Sequence, residues 1–315
     1  GLDFNPAWIK ELPINPIPKL LRRSKPSLVV AVLKYLYDLD YTDARYKEAE
    51  SRVFRQQSWK MVFKRKSSVP TEPGSDQPEA VDSLLFLEQL YRLHRILDLG
   101  GSKFLPPVRE DIVALMKFQR EDGRFPLLYH HHAHACWLLL KTGMEGNRLL
   151  DKSIHWIVER QREDGGWLHR SMLPKEKKYD TAPSCIWTTA EILLALSSRK
   201  TIAKSETTHK ACEFLLDRML QKNHTNLFPT QEAWDHLSIG HSGDSIFAGG
   251  TLKILLSCAN CGYTLRDSRM KKAYHWLLAL QLDNGFFPRI AGKMPVEDSM
   301  VTLQVLQLIR KLRTV

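Results

Sequence analysis

Three short turns of one pattern constrain this chain more than any other feature in it. Gln119–Phe125 (QREDGRF), Gln161–Trp167 (QREDGGW) and Gln281–Phe287 (QLDNGFF) all read Gln-x-x-x-Gly-x-[Trp/Phe]. The first two lie 42 residues apart; the second and third lie 120 apart, three times 40, which makes a unit near Leu220–Pro229 degenerate. A period near 40, with apolar residues at i, i+3, i+4 and i+7 between the turns, is one helical hairpin per repeat. The turn chemistry agrees with this. Glycine supplies the positive φ that ends a helix, the aromatic packs back over the turn, and the glutamine can bond free backbone groups at a neighbouring helix end.

Strand signals are nearly absent, so the expected class is all-α. Residues 1–66 read as N-terminal helices at about 16–23, 27–38 and 43–65, packing on the repeats, with Pro16, Pro18 and Pro26 at their starts. Residues 67–79 (SSVPTEPGSDQPE) form a polar, proline-rich and mobile loop, and residues 80–315 hold the repeats.

Hydrophobic residues at 43% and charged ones at 26% fit a globular chain. No run approaches the roughly 18 apolar residues of a membrane span, and no basic-then-apolar leader opens the sequence, so a cytoplasmic protein is expected. The net charge of +11 is spread over short groups such as Lys175–Lys178 and Arg310–Arg313 without interleaved aromatics. That disfavours a nucleic-acid platform and leaves a membrane surface or an anionic substrate open. Five cysteines do not make a disulfide framework, and Cys258-x-x-Cys261 lacks the second pair of a zinc site.

Polar pairs recur where apolar helices are expected to open: Asp82-Ser83, Asp180-Thr181, Asp244-Ser245 and Asp298-Ser299, with Tyr129-His130-His131-His132 in the fifth place. Capping explains much of this, since Asp, Ser and Thr satisfy free amides and oppose the macrodipole. If these helices form the inner ring of a barrel, the carboxylates and histidines converge at one mouth. Glu191, ahead of Ile192-Leu193-Leu194, is a buried carboxyl able to act as an acid or to pair with a cation. His130 and His134, four apart, share a helical face suited to metal ligation or proton transfer. Tyr129, Trp187 and Phe247, with Asp244 and Asp298, are candidate substrate contacts; aromatics at this spacing also serve as plain core.

The three turns resemble the QW motifs of squalene and hopene cyclases and the equivalent turns of protein prenyltransferase β subunits, over roughly residues 100–312. The opening Ile17-Pro18-Lys19-Leu20-Leu21 and Lys25-Pro26-Ser27 is similar to the start of free-standing prokaryotic squalene-cyclase-like proteins. The resemblance implies an α/α toroid of five to six helical hairpins around a greasy cavity for an isoprenoid or other apolar molecule. It points to Asp180 and Glu191, with His130 and His134, as catalytic groups. Of the cyclase segment Asp-x-Asp-Asp-Thr-Ala, only Asp180, Thr181 and Ala182 agree, and Tyr179 stands where the protonating aspartate would be. The prenyltransferase pattern implies zinc on Asp180, Cys185 and a histidine, His134 first among His130, His132, His134, His236 and His241. Two further readings stand beside these: a non-catalytic binding toroid, and a lyase of an acidic polysaccharide using Tyr129-His130.

Overall fold

The computed structural model describes residues 1–23, 25–56, 60–61, 79–100, 105–173, 175–221, 234–239, 250–292 and 294–314. Within them lie twelve α-helices: α1 (Ile17–Arg23), α2 (Pro26–Tyr37), α3 (Ala44–Phe54), α4 (Glu79–Asp98), α5 (Pro106–Met116), α6 (Tyr129–Lys141), α7 (Arg148–Val158), α8 (Ile186–Ser197), α9 (Glu206–Leu216), α10 (Thr251–Asn260), α11 (Ser268–Leu278) and α12 (Ser299–Arg313). The only paired strands among the described residues are β1 (Phe287–Pro288) and β2 (Glu297–Asp298), which are antiparallel. The all-α expectation holds. The third N-terminal helix is shorter than the expected 43–65, ending at Phe54, and most of the expected 67–79 loop lies outside the described residues.

The helices alternate between two layers. Every residue of α8 is buried, whereas α7 and α9 bury one stripe each. Helix α8 packs between α6 and α10, α10 packs on α12, α12 on α2, and α4 on α6, which gives an inner ring. Helices α5, α7, α9 and α11 each back an inner helix from outside, and α3 backs α2. This is an α/α toroid. Among the described residues no helix is long and apolar enough to cross a membrane.

Outer helices α7, α9 and α11 carry side-chain caps: Asn147 accepts from Leu149 and Leu150, Ser205 from Thr208, and Asp267 from Arg269 and Met270. Outer α5 lacks one, and inner α12 is capped by Asp298. Inner helices α6, α8 and α10 have no side-chain cap. Helix α8 is tied instead to the turn before it, the Cys185 amide donating to the Trp167 carbonyl at 2.9 Å.

Each repeating turn joins three elements. Its glycine has φ of +96° at Gly123 and +90° at both Gly165 and Gly285. Its glutamine amide donates to the first turn of the next outer helix: Gln119 to the Leu149 carbonyl at 2.6 Å and Gln161 to that of Thr207 at 2.8 Å. Gln281 donates to Ile14 at 2.7 Å, so the N-terminal segment stands where the next outer helix would begin and closes the ring. The aromatic's own amide donates to the following inner helix, from Phe125 to His132 Nδ1 at 3.0 Å, Trp167 to Thr189 Oγ1 at 3.0 Å and Phe287 to Thr302 Oγ1 at 2.9 Å.

The glycines are therefore required twice, by φ and by space. A Cβ on Gly165 would sit 2.4 Å from the Lys210 carbonyl oxygen, whereas one on Gly146, at φ +85°, would meet nothing within 4 Å. Gly146→Ala is expected to cost about 1 kcal/mol, the left-handed penalty alone. Gly165→Ala should cost about 3 kcal/mol or more, because backbone must also shift. Denaturant midpoints of the two variants check this; equal losses would refute the docking role of the turn.

Candidate active site in the toroid centre

The three turn-to-helix bonds set equivalent positions on the inner helices, and the residue two places further on faces the ring interior. From His132, Thr189 and Thr302 that step reaches His134, Glu191 and Gln304. On α10, Thr251 donates to the carbonyl of Trp234 at 3.0 Å, and the same step reaches Lys253. The result is a polar rung inside an apolar ring, with His94 of α4 joining it from the side.

Apart from Gln304, the members of the rung form a continuous chain. Lys253 Nζ donates to Glu191 Oε2 at 2.5 Å, and Glu191 Oε1 lies 3.1 Å from His134 Nδ1. His134 Nε2 is 2.8 Å from His94 Nδ1, and His94 Nε2 is 3.4 Å from Asp98 Oδ2. Lys253, Glu191, His134 and His94 are each at most 2% exposed. Burial opposes ionisation of Glu191, but Lys253 and His134 more than offset it and hold the carboxyl below its usual range. Glu191 and Lys253 thus neutralise each other where neither could stand alone.

The chain therefore links the buried Glu191 to Asp98 through two imidazoles in van der Waals and hydrogen-bond contact.

Asp98 opens onto the central cavity. Two adjoining spaces of about 290 and 580 Å³ share Ser27, Asp98, Trp137, Lys141, Ile239, Met300 and Gln304. All six inner helices contribute to the walls of the smaller space: Val30 and Tyr35 from α2, Leu97 from α4, Trp137 from α6, Leu194 from α8, Leu256 from α10 and Met300 from α12. Lys34, Lys141, Asn260 and Gln307 are interspersed among them. The lining is mixed, not the all-apolar surface that the resemblance implied.

Of the candidates named from sequence, the structure brings Glu191 and His134 into one chain and places Asp298 in the wall of the larger adjoining space, whereas Asp180, Cys185, Trp187, Tyr129 and His130 lie apart. Asp180 is exposed, in a turn five residues before Cys185, the N-cap of α8. Pro183 disfavours helix at Ala182, and Asp164 accepts from the Ser184 amide at 2.8 Å and its hydroxyl at 2.6 Å, so α8 cannot begin at Asp180. The carboxylates do not converge either: Asp82 pairs with Arg120 and Asp298 caps α12 through the Val301 amide. His241, Asp244 and Phe247 lie outside the described residues. The Asp180, Cys185 and His134 set is not assembled, because Asp180 is exposed, Cys185 is buried with its thiol pushed up, and both ring nitrogens of His134 are engaged. Among the described residues no three His, Cys, Asp or Glu side chains form a metal-binding group. Trp187 packs edge-on against Trp234, ring centroids 4.8 Å apart, as core.

Tyr129 and His130 stand at the opposite end of α6. Tyr129 lies edge-on to His169 at 4.7 Å, beside a space of about 440 Å³ lined by Arg120, Arg124 and His169. Burial raises the Tyr129 phenol and lowers the buried His130, so neither is poised as a proton-abstracting pair.

Lys253, His94 and Asp98 were missed at the sequence level, although a signal for the first was present. Thr189-Ala190-Glu191-Ile192-Leu193-Leu194 and Thr251-Leu252-Lys253-Ile254-Leu255-Leu256 share Thr-x-[Glu/Lys]-Ile-Leu-Leu, a charge swap at one repeat position. His94 and Asp98 carry no such mark.

No protein-family model matches the sequence, and no curated protein matches it. Solved structures with a similar course include a glycosyl hydrolase family 88 protein from Bacteroides vulgatus, 12% identical over 91% of this chain and 88% of that one, with a TM-score of 0.51. A polysaccharide lyase is 10% identical over 92% and 90% of the two chains with a TM-score of 0.47. The type II terpene cyclase MstE from Scytonema is 15% identical over 91% and 88% with a TM-score of 0.44. The first likeness bears on the fold alone, and it supports the α/α toroid.

Two outcomes test the rung. Glu191→Gln strands a buried ammonium and should cost about 3–5 kcal/mol, whereas Glu191→Leu with Lys253→Met should recover most of that loss. A double-mutant cycle by urea denaturation reads both, and additive losses would contradict a coupled pair. His132, held neutral by burial, has its pKa lowered from 6.5 to about 4. Its stabilising contribution is complete above about pH 6.5 and is lost as pH falls toward about 4, because the unfolded chain binds that proton first. Urea titrations at pH 7 and pH 4.5 should show that loss, and His132→Asn should reduce its pH dependence.

Proposed function

We propose that this chain is an enzyme acting by proton transfer on a small molecule held in the central cavity, with Asp98 as the group that meets the substrate. The observation that carries this reading is the chain Lys253–Glu191–His134–His94–Asp98, which runs from the buried ring to the cavity wall. Glu191, His134 and His94 then act as positioning residues, and Lys253 keeps Glu191 ionised. General acid catalysis of this kind contributes about 10²–10⁴-fold.

The lining selects the ligand class. Val30, Leu97, Leu194, Leu256 and Met300 suit an apolar body, whereas Lys34, Lys141, Asn260 and Gln307 require a polar end. An isoprenoid bearing a polar group meets both demands; a plain hydrocarbon leaves the lysines unanswered. The acidic-polysaccharide reading has the Arg120, Arg124 and His169 space in its favour but lacks a poised base beside it.

Native mass spectrometry of the purified chain should show a retained small molecule. Incubated with that molecule in deuterated water, the wild type should convert it or exchange deuterium into it. Asp98→Asn should bind it and react about 100-fold more slowly. Binding with no conversion or exchange by the wild type would instead establish a non-catalytic binding toroid.

A further inference from the structure

The proton chain accounts for one wall of the cavity and leaves another unexplained. Lys34 and Lys141 stand in the last turns of α2 and α6 and line the same space as Tyr35 and Trp137. Lys34 Nζ lies 5.2 Å from the centre of the Tyr35 ring, and Lys141 Nζ lies 4.5 Å from that of Trp137. Among the described residues neither ammonium has a carboxylate within ion-pair distance. Asp98, the one carboxylate among the residues lining the smaller space, has an oxygen 3.4 Å from His94 Nε2.

Lys34 and Lys141 outnumber Asp98 among the charged side chains that line this space, so an anion entering it meets two ammoniums. Tyr35 adds a phenol to the lining of the same space. Burial opposes its ionisation, but Lys141 and Lys34 draw it below the usual range, which is the field an incoming anion would meet.

We propose that Lys34, Lys141 and Tyr35 form a subsite for an oxyanion group, carboxylate or phosphate, on the small molecule that occupies the central cavity. This rests on the reading that the cavity is the ligand site, and it does not depend on proton transfer from Asp98. The subsite orients the ligand: its charged end lies against α2 and α6, and its apolar body runs along Leu194, Leu256 and Met300.

The test titrates the full chain with inorganic phosphate and, separately, with acetate, at constant ionic strength set by chloride, following the thermal midpoint. Phosphate or acetate should raise the midpoint of the wild type above the chloride control, and the stronger of the two identifies the group. Lys34→Met with Lys141→Met should weaken that binding by about 10-fold or more, the loss of a charge-assisted contact. Lys34→Arg with Lys141→Arg should retain it, which separates lost charge from lost folding. The exposed pair Lys271→Met with Lys272→Met should leave it unchanged. Undiminished binding in the double methionine variant, or no anion effect beyond chloride in the wild type, would overturn the subsite. Asp98→Asn should still bind the anion, so failure of the proton-transfer reading shows separately as lost conversion with binding intact.

Discussion

The hydrogen bond from each turn's aromatic amide to the inner helix that follows is the contact on which the rest of this structure depends. It fixes how far each inner helix slides along its neighbours, and a shift of one residue would rotate every side chain by about 100° around the helix. Because Phe125, Trp167 and Phe287 find His132, Thr189 and Thr302 at matching positions, the residues two places on fall at one level of the ring. The same turns dock the next outer helix through their glutamines. One seven-residue motif thereby sets both the spacing of the hairpins and the height of the site.

That shared level is what makes a buried ionic network tolerable. Glu191 and Lys253 sit on adjacent inner helices and are almost wholly shielded from water. Either alone would carry a desolvation cost of several kcal/mol. Together with His134 and His94 they form a chain in which the acceptor and donor groups meet end to end. An apolar pair of similar volume often packs in such a place at little loss of stability. The charged network there fits the proton-transfer role proposed for it.

The expectation of a carboxylate-ringed mouth failed for a local reason. Asp180-Thr181 has the composition of a helix start, but Pro183 and the bonds from Ser184 to Asp164 carry the chain past it in extended form to Cys185. Capping residues mark a helix start only where the backbone is free to turn, and here the preceding turn had already claimed the strand-like segment. The inner helices α6, α8 and α10 begin without a side-chain cap, so polar capping residues are not what marks their starts. The signal that could have located the site is the repeat itself, Thr-x-[Glu/Lys]-Ile-Leu-Leu on α8 and α10.

The sequence by itself determined that the chain is all-α, built of hairpins near 40 residues long, and that Glu191 and His134 are polar groups on otherwise apolar helices. Periodicity and turn chemistry are local properties, so they survive translation into one dimension. Only the tertiary structure decided which of those groups meet. His94 lies 40 residues from its partner His134, and Lys253 lies 62 from Glu191. Their contacts arise from the curvature of the ring and the N-terminal segment that closes it at Ile14, and no stretch of sequence shorter than the whole toroid contains that geometry.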